Sequence, residues 1–213
     1  MSEGVVEMGI LTVKTTENIG WKGDEPTEVV KKSFNEGIVK TGDKVLDIGS
    51  GFGRNANWLA QKGAEVTGVN INDDEIKHSQ VKAREAGVNV NYIHADATSL
   101  PFPDGSFEVA LDLGCSHEIP SKEGQEKAMK EVVRILKPGG HLVYFGFSKD
   151  HPLYSENKEN PRFRSIDDIK NLYGDHFEIV SQEEARWKPK PQEKVDFKEH
   201  VGINVVMKKK TTP

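Results

Sequence analysis

The chain is poor in thiols: Cys115 is its single cysteine in 213 residues. That excludes an intrachain disulfide and any zinc site built from several cysteines, and it points to a reducing, cytoplasmic location. Long apolar runs are also missing; none approaches the ~20 residues that a membrane-crossing helix needs. The opening stretch MSEGVVEMGILTVKTTENIG lacks the charged-then-apolar layout of a secretory signal. Nor is positive charge in excess. A formal net charge of −5 argues against broad binding to nucleic-acid phosphates. The one dense basic cluster, Lys208-Lys209-Lys210, reads as a solvated tail that ends a strand. Internal repeats and low-complexity segments are absent too. What is present suits one well-buried domain spanning 1–213.

That domain is organised around Lys44 to Gly63, KVLDIGSGFGRNANWLAQKG. Val45-Leu46-Asp47-Ile48 has the length and composition of a buried parallel strand. Gly49, Gly51 and Gly53 follow at alternate positions, and a helical segment from Arg54 to Lys62 is stopped by Gly63. Strand, glycine turn and helix in this order let a ligand approach backbone N–H groups at a helix N-terminus.

Along the chain, Pro26 suits the first turn of a helix in which Val29, Val30, Phe34, Ile38 and Val39 recur at helical spacing. Strands are expected at Glu65 to Asn70, Val88 to His94, Phe107 to Leu113 and His141 to Phe147. Helices are expected from about Asp74 to Ala86, capped by Asn72 or Asp73, and from Lys122 to Leu136. Lys137-Pro138-Gly139-Gly140 should break the second of these sharply. A long polar loop, Ser148 to Arg164, leads to a short helix capped by Ser165. Phe177 to Trp187 and Val201 to Met207 then read as an antiparallel hairpin around Lys188-Pro189-Lys190-Pro191. Alternating strands and helices predict an α/β fold, with a doubly wound, mostly parallel sheet carrying helices on both faces. Ligands of such sheets sit beyond the carboxyl ends of the strands. Those ends carry Asp47 and Gly49, Asn70, Asp96, and Gly114 to Glu118.

A dinucleotide turn would place a third glycine at the sixth position from Gly49, where Arg54 stands. The turn Gly49-Ser50-Gly51-Phe52-Gly53 with Asp47 before it instead resembles the first motif of class I S-adenosylmethionine-dependent methyltransferases. Four further segments match that family in order: Val66 to Asn70, Ala95-Asp96-Ala97 before Leu100-Pro101-Phe102, Ser106 to Val109, and Val132 to Gly140. The resemblance covers Lys44 to Phe147 and implies a seven-stranded sheet closed by the C-terminal antiparallel hairpin. It implies that 41–147 is the cofactor-binding core; from position alone, an N-terminal lid segment and helix are expected at 1–40, and a lid loop, helix and hairpin at 148–213. It further implies that Gly49, Ser50, Gly51 and Gly53 line the amino-acid and ribose end of S-adenosyl-L-methionine, with Asp47 orienting that end. Asp96 would accept from the adenine amine, with Ala97 and Ile71 against the ring. Asn70 departs from the commoner acidic residue at the ribose; an amide can accept one hydroxyl and donate to another. Arg54 could reach the cofactor carboxylate as a charge-assisted pair.

The family places the methyl acceptor beside Gly114-Cys115-Ser116-His117-Glu118-Ile119-Pro120. His117 is the base or positioning candidate, since histidine titrates near neutral pH, and Glu118 is the second. Cys115 reads as packing. No metal is implied. Trp21, His151, Tyr154, Arg162 and Arg164 stand where an acceptor roof would form, on segments 1–23 and 148–164. No Asn/Asp-Pro-Pro-Tyr sequence follows the fourth strand, which argues against amino groups of nucleobases or glutamine as acceptors. The expectation is a small-molecule methyltransferase working as a monomer or homodimer away from membranes. An RNA- or protein-directed methyltransferase, and a non-catalytic cofactor-binding subunit of the same fold, stay open at this point.

Overall fold

A computed structural model describes residues 23, 25–189, 193 and 195–211. Its sheet runs in the order β3-β2-β1-β4-β5-β8-β7, with a two-residue strand, β6, beside β5. The strands are β1 (Lys44–Ile48), β2 (Glu65–Asn70), β3 (Asn91–His94), β4 (Phe107–Leu113), β5 (Leu136–Ser148), β6 (Phe163–Arg164), β7 (Phe177–Trp187) and β8 (His200–Lys209). The first five are parallel; β8 lies antiparallel between β5 and β7. Seven strands follow the expected plan, and β6 is an addition that the polar composition of 148–164 hid.

The sheet is covered on both faces. On one, Leu46, Ile48, Ala110, Leu142 and Tyr144 pack with Met129, Val132 and Ile135 of α4 (Lys122–Ile135) and Ile169 and Tyr173 of α5 (Ile166–Tyr173). On the other, Val45, Val109, Leu111 and Val143 meet α1 (Glu28–Asn35), α2 (Arg54–Gln61) and α3 (Asp73–Glu85) through Val30, Ala56, Leu59 and Ile76. Period-two alternation along buried strands sends successive side chains to opposite cores, which is why β1 reads as a continuous apolar run.

The helix caps are local in origin. Asn72 accepts from the N–H groups of Asp74 and Glu75 at the start of α3, and Ser165 and Asp168 form a reciprocal capping box on α5. Among the described residues no helix joins β3 to β4, contrary to the simple alternation. Instead α4 holds that crossover: Arg134 donates to the carbonyls of Leu100 and Phe102 and to Asp104, while Glu131 accepts from the Leu100 N–H. The Lys-Pro-Gly-Gly segment ends α4 as expected but continues as the first part of β5. A Cβ at Gly140 would stand 2.8 Å from the Glu108 carbonyl, so only glycine lets β5 lie against the bulged edge of β4.

Candidate functional site

The carboxyl ends of β1, β2, β3 and β4 lie level, since Ile48 pairs with Val69 and Asp112, and Asn70 pairs with His94. Beyond them the chain turns sharply. Gly49, Gly51 and Gly53 take φ of 68°, 54° and 81°, the left-handed region that L side chains resist. The Ser50 N–H donates to the Val69 carbonyl, and Gly53 caps α2 in this conformation. Neighbouring atoms also require the glycines. A Cβ on Gly49 would come within 2.6 Å of Cys115 Cβ, and one on Gly53 within 2.2 Å of the Tyr92 hydroxyl. Cys115 thus serves as packing beneath the turn. Burial, reinforced by surrounding carboxylates led by Asp112, pushes its thiol well above its ordinary value.

Two side chains in this turn keep buried polar atoms without partners among the described residues: Asp47 Oδ2 and Ser50 Oγ. Burial raises the Asp47 carboxyl to about 7, against the pull of the Arg54 charge and the Ala56 N–H. Arg54 in turn is partly buried at the start of α2; burial pushes it below its ordinary value, against the opposing pull of the Asp47 charge. A buried carboxyl with an orphaned oxygen at the N-terminal end of a helix, with a guanidinium close by, is suited to a zwitterionic ligand.

At the end of β2, Asn70 is buried while the next residue, Ile71, is 66% exposed. Asn70 Nδ2 donates to Glu75 Oε2 at 2.8 Å, and its Oδ1 accepts from the Asn72 N–H at 3.0 Å. At the end of β3, Asp96 is exposed and its Oδ1 accepts from the Thr98 N–H and hydroxyl, while Ala97 packs on the core. The sequence-expected residues Asp47, Gly49, Ser50, Gly51, Gly53, Arg54, Asn70, Ile71, Asp96, Ala97 and Gly114 therefore all lie at or just past the carboxyl ends of adjacent strands.

The loop after β4 begins at Gly114, again with positive φ, and passes into a 3₁₀ turn, Ser116–Glu118. His117 is buried, and its Nε2 lies 3.0 Å from Glu118 Oε1. Glu118 also receives a guanidinium N–H of Arg162. Burial works to raise the Glu118 carboxyl, but the His117 hydrogen bond and charge, with Arg162, hold it below its ordinary value. Nδ1 of His117 is buried and has no hydrogen-bond partner among the described residues. His117 Cε1 is also the nearest atom to a Cβ built on Gly114, at 3.7 Å.

Polar residues that the sequence reading missed hold this loop from beneath. Asp112 Oδ1 accepts from the N–H groups of Cys115 and Ser116, and Gln125 Nε2 donates to the carbonyls of His117 and Ile119. Arg164 donates to Gln125 and to the Tyr144 hydroxyl, both at buried positions. A carboxylate inside the apolar run Phe107 to Leu113 was the available signal for Asp112. Arg164, expected on the acceptor side, is buried in this network instead; burial opposes its charge, and Tyr144, Tyr173 and Asp112 more than offset that.

His151 is likewise no surface recognition residue. It is buried, its Nε2 lies 3.0 Å from His200 Nδ1, and burial with the neighbouring His200 and Arg162 charges lowers it to about 4. Phe145, Phe147 and Trp187, each partly buried, make an aromatic wall beside His117, with the His117 and Phe147 rings 5.3 Å apart. Arg162 lies over Phe147 at 4.8 Å, and Tyr154 packs on Phe163. Trp21 and the rest of the expected N-terminal lid, 1–22 with 24, lie outside the described residues. Among the described residues no cluster of histidine, cysteine and carboxylates is arranged for a metal, and no helix is long and apolar enough to cross a membrane.

Comparison with known proteins bears on this geometry. Residues 46–144 match the family profile described as a methyltransferase domain. The chain is 37% identical over 116 residues to the ubiquinone/menaquinone biosynthesis C-methyltransferase UbiE of Pasteurella multocida, covering 52% of this chain and 42% of that protein. It is 36% identical over 124 residues to the methyltransferase GfsG of Streptomyces halstedii, covering 57% of this chain and 42% of that protein. The chain thus spans less than half the length of these two relatives. A SAM-dependent methyltransferase structure from Methanosarcina mazei shares the fold with a TM-score of 0.73 at 24% identity, covering 83% of this chain and 96% of that one.

Proposed function

We propose that this chain, which belongs through residues 46–144 to the class I S-adenosylmethionine-dependent methyltransferases, transfers a methyl group to a small-molecule acceptor. The observation that carries the reading is the left-handed glycine turn at the end of β1, with Asp47 Oδ2 and Ser50 Oγ beside it buried and unpartnered among the described residues. These residues fit the cofactor. Asp47 and Arg54 would hold the ammonium and carboxylate of its amino-acid end, and Gly49 and Gly51 leave room for close backbone approach. Asp96 would accept from the adenine amine, with Ile71 and Ala97 against the ring. An apolar side chain as exposed as Ile71 gains when a flat ring covers it.

When bound, the cofactor supplies an electrophilic methyl group on a sulfonium, so the chain has to position an acceptor and exclude water. His117 does this from the loop after β4. Its Nε2 is paired with Glu118, and the imidazole would take a proton from an acceptor hydroxyl, thiol or activated carbon acid. Phe145, Phe147 and Trp187 provide a wall that suits a flat, largely apolar acceptor, and Arg162 meets negative charge that develops on it. The UbiE relatives, C-methyltransferases of ubiquinone and menaquinone biosynthesis, agree with an acceptor of that shape.

The test is calorimetric titration with S-adenosylmethionine, S-adenosylhomocysteine and NAD, followed by turnover over a panel of phenolic, thiol and amine acceptors. Binding of the first two but not NAD, with transfer to a flat small molecule, is the expected result. Binding without transfer to any acceptor would favour a non-catalytic subunit, and no binding would refute the cofactor assignment.

A further inference from the structure

The end of β2 departs from the expected arrangement in a specific way. An amide stands where an acid is commoner, and both of its polar atoms are occupied by the protein. Asn70 Oδ1 accepts from the Asn72 N–H, and Nδ2 donates to Glu75 Oε2 at 2.8 Å. A side chain so held, and only 9% exposed, is an orienting element rather than a free ligand group.

Glu75 has the opposite character. The other carboxylates in the first turn of α3 have side-chain nitrogen partners, Asp73 the imidazole of His94 and Asp74 the ammonium of Lys77. Glu75 takes the neutral amide of Asn70 and, among the described residues, forms no ion pair. One oxygen is fixed by that amide; Oε1 has no hydrogen bond within the protein among the described residues. Its direction follows from the helix. Ser79, four residues later and so on the same face, lies with its hydroxyl 2.8 Å from the Gly51 carbonyl. The face of α3 that carries Glu75 is therefore the face packed on the glycine turn. Glu75 stands one helical turn nearer the end of β2, four residues after the exposed Ile71.

We infer that Glu75, aimed by Asn70, supplies the carboxylate that receives the 2′- and 3′-hydroxyls of the cofactor ribose. The inference rests on reading this cleft as an S-adenosylmethionine site. The acid has moved from the strand end to the first turn of the following helix, and Asn70 replaces it there as the group that fixes its rotamer. An acid at both positions would set two negative charges at hydrogen-bonding distance, which is why residue 70 is neutral here.

Calorimetry with S-adenosylhomocysteine and its 2′-deoxyribose counterpart separates the two levels of the argument. Wild-type protein should bind the ribose form about 10- to 100-fold tighter, the range for a hydrogen bond to a charged group. Glu75→Gln should lose most of that preference while binding the deoxy form as before, with an unchanged melting temperature. Asn70→Asp should weaken ribose-form binding, and Asn70→Asp/Glu75→Gln, with a single carboxylate again, should recover it. A wild-type preference retained in Glu75→Gln would overturn the role of Glu75 and leave the cofactor reading intact. Failure of the wild-type protein to bind either ligand would overturn both.

Discussion

The hydroxyl of Ser79 lies 2.8 Å from the carbonyl of Gly51, joining the middle of α3 to the centre of the glycine turn. Gly51 lies in the left-handed region, so its peptide has no strand or helix partner of its own, and Ser79 is fully buried. Ser79→Ala should leave that carbonyl unsatisfied and cost ~1–3 kcal/mol of stability. Thermal or urea unfolding measures this, and S-adenosylhomocysteine affinity should fall with it as the turn loosens. Unchanged stability would show that the bond contributes nothing.

Asp47 should make binding pH-dependent. Burial raises its carboxyl from 3.8 to about 7, so the folded protein keeps a proton that the unfolded chain has lost between those values. That contribution to stability is complete below pH 3.8 and is lost as pH rises through about 7. A ligand ammonium beside Asp47 favours the ionised form and releases the proton, so S-adenosylhomocysteine affinity should climb as pH approaches about 7 and level off above it. Asp47→Asn should flatten both profiles. Calorimetry in buffers of different ionisation enthalpy counts the proton directly.

Substitution at Gly49 should be severe for two separate reasons. Gly49→Ala meets Cys115 at 2.6 Å and adopts a φ of 68°, with the second term alone costing ~1–2 kcal/mol. The double variant Gly49→Ala/Cys115→Gly removes the collision but not the strain. It should recover part of the melting temperature and little of the ligand affinity. Cys115→Ala by itself should retain methyl transfer, because the thiol serves packing.

His117 should affect transfer without affecting cofactor binding. His117→Ala is expected to lower kcat by ~10²–10⁴ for an acceptor that must lose a proton, the range for a positioned general base. S-adenosylhomocysteine affinity should stay at the wild-type level. Glu118→Gln, which removes the charge beside Nε2, should give a smaller loss. Equal losses for acceptors with and without a proton to lose would remove the base role.

The fold was legible wherever its signals are local. Apolar runs marked β1, β2, β4 and β5, Asn72 and Ser165 marked helix starts, and Gly63 marked a helix end. The expected strand from Val88 narrowed to Asn91–His94, because Val88 is held by the Ala83 carbonyl at the end of α3. The segment Leu100 to Ser106 is anchored on Glu131 and Arg134, some thirty residues away, which no local signal shows. The strand β6 could not be read, since two residues pairing with β5 leave no periodicity.

The sequence by itself determined a doubly wound sheet, a glycine turn at the end of β1, and the set of residues gathered at the strand ends. Those follow from hydrophobic period, capping chemistry and the conformational freedom of glycine, each of which acts over a few residues. Only the tertiary structure decided which polar groups are free there. Arg164 is spent on Gln125, 39 positions away, and His151 on His200, 49 positions away. Asn70 is spent on Glu75, only five positions on, but the meeting requires α3 to pack with Ser79 on Gly51. Sheet register and helix packing set these partnerships, and each partner orients the side chain it holds.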